Sequence, residues 1–306
     1  SFSDLGDGPF SKRLPAGWVA ILQHYFVSAW IPSQQTSHDY FASQLSNGDN
    51  VIGYKNQNVD IAPGSATTIT QTLYVGPKDQ VVLADLAKYL DLVIDYGWLW
   101  WLAKPLFLLL TLIQQFVINW GLAIIALTVI VKLVFFRLSA ASYKSMAKMR
   151  TVQPKIQSIK DQYADDKAKQ QQAMMELWKK EKINPMGGCL PMLIQMPVFI
   201  ALYWVLLESV ELRHAPLILW IDDLSAMDPY FVLPILMGIS MWLMQRLNPA
   251  PPDPMQAKIM MYMPIAFTFL MMWFPAGLVL YWLSNKRLSF AQQYVVTRQI
   301  EQAAAR

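Results

Sequence analysis

Two regimes of hydrophobic patterning divide the chain. Up to residue 91, apolar residues come in short runs between the turn-rich stretches Asp4–Pro9, Pro32–Ser37, Asn47–Asn50 and Ala62–Ala66, which is how a β domain is punctuated. Thr67–Val75 sets Thr68, Thr70 and Thr72 against Ile69, Leu73 and Val75, the period of two that predicts a half-buried strand. Val51–Ile61 and Trp18–Ile31 are further strand candidates, and Asp79–Asp91 carries Val82, Leu86 and Leu90 at helical spacing. The expectation is the end of a β-sandwich-like domain followed by a helix. It holds no catalytic constellation, and His24 beside Tyr25 reads as a sheet histidine.

From residue 97 the apolar runs lengthen. Residues 97–118 are apolar but interrupted at Lys104-Pro105, with Trp98, Trp100 and Trp101 at one end. Tryptophan favours the headgroup level of a bilayer, so this segment is predicted to lie in the interface, with a full span as the alternative. Asn119–Phe136 carries one charge, Lys132; Cys189–Leu207 is 19 residues without a charge, Pro229–Met244 is 16, and Ile259–Leu283 is 25. A span needs about 20 apolar residues. The last run contains Phe274-Pro275-Ala276-Gly277, and by length alone it is either one tilted helix or a hairpin turning at Pro275–Gly277.

The polar stretches between these runs set the orientation. Residues 137–183 carry eleven basic side chains against five acidic ones, whereas 208–228 carry five acidic and one basic, Arg213. The positive-inside bias places the first loop in the cytoplasm and the second outside, together with residues 1–118. Within the first loop Met146, Met149, Val152, Ile156, Ile159 and Tyr163 recur at three- and four-residue spacing; Asp165-Asp166 mark a turn; Ala173, Met174, Leu177 and Trp178 form a second stripe, stopped at Asn184-Pro185. Two amphipathic helices in an antiparallel hairpin, over 144–183, are predicted. Its basic face, with Lys144, Lys148, Arg150, Lys155, Lys160, Lys179 and Lys180, is either a solvated surface or a docking face for an acidic partner such as ribosomal RNA or anionic lipid.

Composition agrees with this division. Of 306 residues, 55% are hydrophobic and 15% charged, with a mean hydropathy of +0.28. A soluble domain carries about 25% charged residues, so a soluble enzyme and a disordered chain are both excluded as classes. Cys189 is the single cysteine, so the chain has no internal disulfide and no cysteine-based zinc site; His24, His38 and His214 lack metal-ligand spacing. No cofactor is expected. The chain opens at Ser1 without a signal peptide or anchor, so an upstream portion is expected. Phosphate-loop, zincin and nucleophile-elbow motifs are absent, and no carboxylate or histidine lies in a predicted span to build a proton relay or an intramembrane protease. An enzyme is not expected.

Lys132 is the most informative position. A charge in hydrocarbon costs about 2.5–3.5 kcal/mol, and Lys132 either snorkels to the near interface or faces a wet cavity between helices. Thr128 lies one turn away on the same face, and Gln195 and Gln292 are polar members of other runs. With no carboxylate in the spans to pair with it, Lys132 points to a hydrated groove that receives something anionic or polar.

The chain resembles a known family at several places in order. Lys182-Ile183-Asn184-Pro185-Met186-Gly187-Gly188-Cys189-Leu190-Pro191 followed by Gln195-Met196-Pro197-Val198-Phe199 is similar to the third-span entry of the YidC/Oxa/Alb membrane insertases. So are Ser145-Met146-Ala147-Lys148-Met149-Arg150 with Gln153-Pro154-Lys155, Asp228-Pro229-Tyr230 with Leu233-Pro234, Asp253-Pro254-Met255-Gln256, and Phe274-Pro275-Ala276-Gly277-Leu278-Val279-Leu280-Tyr281-Trp282. The match runs over about residues 92–300. Residues 1–91, ahead of Tyr96-Gly97-Trp98, resemble the end of the periplasmic domain of Gram-negative members.

The resemblance implies a mainly α-helical polytopic membrane protein of the bacterial inner membrane. It comprises a periplasmic β-domain remnant (1–91), an interfacial amphipathic helix (92–118) and a five-span core with a cytoplasmic helical hairpin (119–306), the last apolar run being a hairpin. The first span and most of the periplasmic domain are then missing upstream. A positively charged hydrophilic groove, open to cytoplasm and lipid, would insert and chaperone membrane proteins, alone or beside the Sec translocon. The groove positions are Lys132, where the family usually has Arg, with Thr128, Gln195, Pro197, Tyr281 and Trp282. Implied partners are nascent membrane proteins, the ribosome, the Sec translocon (SecYEG, SecDF) and the bilayer. The competing class is a small-solute channel or transporter with an anion site at Lys132. Lys286-Arg287 departs from the family's uncharged pattern. Adjacent helix positions point about 100° apart, so the two cannot face one narrow cavity equally.

Overall fold

In the computed structural model the described residues are 8–56, 58–164, 166–181, 190–247 and 254–304. Asn184-Pro185, Gly187-Gly188, Cys189, Asp165 and Asp253 lie outside them, as does the side chain of Arg150. The chain forms two units, Ser1–Asp95 with Glu208–Glu211, and Tyr96–Leu207 with Leu212–Arg306.

The first unit holds six strands: β1 (Phe10–Leu14), β2 (Val19–Leu22), β3 (Phe26–Ile31), β4 (His38–Gln44), β5 (Asn50–Lys55) and β6 (Thr72–Pro77). They form two antiparallel three-stranded sheets ordered β1-β4-β5 and β2-β3-β6. Val27, Ala29 and Ile31 are buried while Ser28 and Trp30 between them are less so, the alternation a half-buried strand requires.

Three strand expectations are corrected by the structure. Trp18–Ile31 is a hairpin, β2 turning into β3, closed by the Gln23 amide donating to the Phe26 carbonyl at 2.9 Å. The strand expected over Thr67–Val75 starts only at Thr72, because its partner β3 ends where Ile31 faces Thr72 and Pro32 follows. Val51–Ile61 is a strand only to Lys55. Strands β1 and β4 have no counterpart in the hydrophobic pattern; their charges obscure the alternation, and Arg13 faces Asp39 across the pair at 3.9 Å. The helix expected over Asp79–Asp91 is α1 (Gln80–Leu86), capped by the Asp79 carboxylate accepting from the Val81 and Val82 amides. It ends at the extended Ala87, and left-handed Tyr89 then opens a 3-10 turn at Leu90–Val93.

The second unit is helical: α2 (Trp100–Val117), α3 (Trp120–Val134), α4 (Phe136–Thr151), α5 (Gln153–Gln162), α6 (Lys167–Lys180), α7 (Leu190–Glu208), α8 (Val232–Leu247), α9 (Pro254–Met271) and α10 (Ala276–Ala304). The interruption expected at Lys104-Pro105 is not there, since α2 runs through Pro105. The ring forfeits one hydrogen bond, to the carbonyl of the exposed Trp101. Helices α3 and α4 meet at a 68° bend. The single helix expected over Met146–Tyr163 breaks at Val152, because Pro154 sits in the first turn of α5 and favours a helix start. Val152 and Ile156 are buried against Met149, Met174 and Leu177, so α5 and α6 pack together. Asp166 caps α6 by accepting from the Lys169 amide at 3.0 Å.

The last apolar run is a hairpin, α9 ending at Met271 and α10 starting at Ala276. The first amides of α10 are satisfied by another segment: Ala276 donates to the Ala226 carbonyl at 2.7 Å and Gly277 to Leu224 at 2.9 Å. A Cβ at Gly277 would stand 3.2 Å from that same Leu224 oxygen, which is backbone and cannot swing away.

Helix α10 packs on α8, α3 and α4; α9 packs on α8, and α2 on α3. Ile124, Leu127, Leu202, Val205, Met237, Leu278 and Val279 fill the interior, yet Ile235, Ile239 and Leu243 of α8 and Ile259, Ile265, Phe269 and Leu270 of α9 face outward. Helices apolar on every side suit a hydrocarbon solvent. Among the described helices Gly97–Val117 is by itself long and apolar enough to cross a membrane, the bent α3–α4 pair passes the same test only if counted as one span, and Leu193–Glu208, Val232–Arg246 and Ala257–Met271 are shorter apolar helices.

Candidate functional site

The site is built where α3, α4 and α7 meet the buried face of α10. Helix α3 starts at Asn119, whose side chain caps it by accepting from the Leu122 amide at 3.0 Å and donates to the carbonyls of Pro216 and Leu217 at 3.1 and 2.9 Å. Gly121, Ile124, Thr128 and Val131 follow on the buried face. Thr128 is spent within the helix, its hydroxyl donating to the Ile124 carbonyl at 2.7 Å. One turn on, the half-buried Lys132 donates to Ser289 Oγ at 2.6 Å and Asn285 Oδ1 at 3.3 Å, both on α10.

Helix α10 presents Tyr281, Asn285 and Ser289 four residues apart, hence on one face, and all three are buried. Gln195 of α7 donates to the Tyr281 hydroxyl at 2.5 Å. Asn285 also lies beside Tyr281, and Tyr143 of α4 beside Ser289. Four helices are thus joined through a polar seam inside an otherwise apolar bundle. Every partner of Lys132 in it is neutral. Helices α3, α4, α8 and α9 contain no Asp or Glu, α7 has only its last residue, Glu208, and α10 only Glu301 near its far end. Among the described residues Lys132 is in no ion pair, so it brings the seam a positive charge that no carboxylate offsets there.

Trp282 stands beside the seam. Its ring meets Phe199 at 4.8 Å and Phe267 at 5.0 Å, and Lys286 lies over it at 5.1 Å. Its indole Nε1 is buried with no acceptor among the described residues.

The residues expected from sequence are therefore distributed unequally. Lys132, Gln195 and Tyr281 come together, with Thr128 one turn from Lys132 and Trp282 alongside. Pro197 is half-buried in α7, two positions and so about 200° from Gln195; it is Phe199, one turn from Gln195, that reaches Trp282. Gln292 staples α10 to the α3–α4 bend by donating to the Phe136 carbonyl at 3.0 Å, about one turn beyond the Lys132–Ser289 contact, and does not itself bond Lys132. Asn285, Ser289 and Tyr143 are functional candidates that sequence reasoning misses. The four-residue spacing Tyr281–Asn285–Ser289 is their signal, visible once α10 is known to start at Ala276.

The basic hairpin residues are separate from this seam. Lys144, Lys148, Lys179 and Lys180 are exposed. Lys155 is paired with Glu181 at 2.5 Å, which ties the start of α5 to the end of α6. Lys160 is half-buried, and its backbone carbonyl accepts from Gln170 at 3.5 Å. Among the described residues no cluster of His, Cys, Asp or Glu could hold a metal ion.

At the other end of the bundle, Asp228 is buried; it accepts from the Leu233 amide at 2.7 Å, the Tyr230 amide at 3.1 Å and the Trp220 indole at 2.9 Å. With the Ala226 and Leu224 bonds to α10, it fixes residues 215–228 across the starts of α3, α8 and α10.

Comparison with known proteins gives two family matches. Residues 112–303 match the model of the 60Kd inner membrane protein, and residues 1–109 that of the YidC periplasmic domain. Among curated relatives, the "Membrane protein insertase YidC" of Marinomonas sp. (strain MWYL1) is 63% identical over 99% of this chain and 55% of its own length. Those of Cellvibrio japonicus (strain Ueda107) and Pseudomonas fluorescens (strain SBW25) are 59% and 56% identical over 99% and 100% of this chain, and each is again covered over 55% of its length. The chain thus spans about half the length of the curated relatives it matches. A crystal structure described as an active YidC insertase with its first transmembrane domain resolved superposes with a TM-score of 0.56 at 22% identity, over 94% of this chain and 79% of that one; it supports the fold. The channel reading gains no support from these comparisons. With a family model matched over most of its length and relatives well over half identical along nearly all of it, the chain belongs to the YidC family of inner membrane proteins, whose named members here are insertases and not enzymes.

Proposed function

We propose that this chain is the working core of a membrane protein insertase and chaperone. The polar seam around Lys132 hydrates and attracts the polar flank of an incoming segment, while the apolar part of that segment leaves along the lipid-facing helices. The observation that carries this reading is a lysine inside an apolar bundle, held by Asn285 and Ser289 and facing no carboxylate among the described residues. A buried cation with a carboxylate partner would be a structural ion pair; one held by neutral dipoles keeps its field for a passing anion.

In this reading α3, α7, α8, α9 and α10 are the five spans, α2 lies in the interface, and the α5–α6 hairpin with the C-terminal tail is cytoplasmic. Residues 1–118 and 208–228 are periplasmic. The charge asymmetry of the two loops supports that orientation. The segment 215–228, bonded across three helix starts, would close the groove on the periplasmic side. The basic hairpin would meet the ribosome or anionic lipid, and the Sec translocon (SecYEG, SecDF) is the partner that the family resemblance suggests.

Reconstituted in proteoliposomes, the chain is expected to insert a short single-span substrate, read by protease protection of its flank, and to pass no small anion measured by tracer flux. Anion flux without insertion would replace this reading with the channel.

A further inference from the structure

Helix α10 places a second cation beside the first. Lys286 is half-buried over the Trp282 ring, whereas Arg287, the next residue, is exposed. Position 286 follows Asn285, which holds Lys132, and lies one turn from Trp282; Trp282, Asn285, Lys286 and Ser289 make one continuous stripe. The charges of Lys286 and Lys132 act on each other. Among the described residues neither ammonium is in an ion pair.

The hydrogen bonding of this stripe is one-sided. Lys132 directs two of its three protons to Ser289 and Asn285. Lys286 rests on a ring face, which is a weak partner for a desolvated cation compared with a carboxylate. The Trp282 indole N–H is buried without an acceptor among the described residues. Two like charges and a spare N–H donor, in a bundle whose facing helices carry no carboxylate but Glu208 at the last position of α7, are complementary to an anion bearing more than one charge.

We infer that Lys286, with Lys132 and the Trp282 indole, makes a dicationic subsite that selects substrate flanks carrying two acidic residues close together over flanks carrying one or none. This rests on the insertase reading and names its substrate class. A single cation would favour the first carboxylate of a flank and little more. Two cations favour the second as well, because each added carboxylate then meets a charge of its own. Arg287 has no part in it, since its side chain is exposed on another face of α10.

The test uses the full chain in proteoliposomes and a single-span substrate whose flank carries zero, one or two Asp residues. The two-Asp flank is expected to insert about fivefold better than the one-Asp flank, the gain of one partly desolvated ion pair. Lys286→Asn should bring that ratio close to one, Lys286→Arg should restore it, and Arg287→Gln, which removes the same net charge one residue along, should leave it intact. An equal ratio in Lys286→Asn and the parent would overturn the inference while leaving the insertase reading standing. A binding measurement in detergent with short peptides of one or two Asp reads the subsite without insertion. Loss of the two-Asp preference in Lys286→Asn is the supporting result there, and an unchanged preference the contrary one. Failure of every flank to insert would count against the insertase reading alone.

Discussion

Lys132 shows how much a single residue discloses by its place in the sequence, and where that stops. A lone lysine in an apolar run with no carboxylate nearby stands out, because its charge would cost about 2.5–3.5 kcal/mol in hydrocarbon. Its partners cannot be read the same way. Asn285 and Ser289 look like ordinary polar residues of a final helix until its start at Ala276 sets their phase. Glu211 is equally silent in the sequence. It lies in the first unit, where burial, and secondarily the charge of Asp79, push its carboxyl up to about 7, against bonds from its own amide and that of Gln80. The neighbouring Lys78–Glu208 pair, at 3.4 Å and largely buried, leaves Glu211 without that lysine as its partner. A carboxyl whose folded value is raised binds its proton more tightly folded than unfolded, so its stabilisation is complete below about 4.5 and is lost as pH rises through about 7. Thermal unfolding of the detergent-solubilised chain followed from pH 4.5 to 8 should show this decline. Glu211→Gln should flatten it and melt higher than the parent at pH 8; a curve of unchanged slope would contradict the assignment.

At the scale of elements, the sequence is legible where one force dominates. Long apolar runs mark α3, α7, α8 and the α9–α10 pair, and the amphipathic stripes mark the hairpin. It misleads where proline acts by position. Pro105 reads as an interruption yet the helix runs through it, whereas Pro154 starts α5 and so splits the first hairpin helix. The β strands are the least legible, because β1 and β4 owe their existence to each other and carry charges that hide their period. The segment 208–228 stands out in the sequence for its net charge, and within that count it is Asp228 that holds the helix starts. Asp228 caps α8 and holds Trp220 from a fully buried place. Asp228→Ala leaves three donors unmet and should cost about 2 kcal/mol or more, a fall in Tm of roughly 5 °C. Asp228→Asn, which keeps an acceptor, should lose less. Equal melting of Asp228→Ala and the parent would remove the cap from the account.

For the whole molecule, much of the exterior and interior of the helical bundle is apolar among the described residues, and a polar seam runs through it. That seam is where α3, α4, α7 and α10 meet at Lys132, Gln195, Tyr281, Asn285, Ser289 and Tyr143. If its task is to draw a polar flank inward, the sign of the charge at position 132 matters more than the shape of the side chain. The most direct measurement is therefore the insertion yield of one acidic-flanked single-span substrate into proteoliposomes of the parent, Lys132→Arg and Lys132→Glu, compared at equal reconstituted protein. Lys132→Arg should stay within about twofold of the parent and Lys132→Glu fall by about tenfold or more, as expected when attraction becomes repulsion in a partly desolvated site; a Lys132→Glu protein that inserts this substrate as well as the parent would contradict the electrostatic groove.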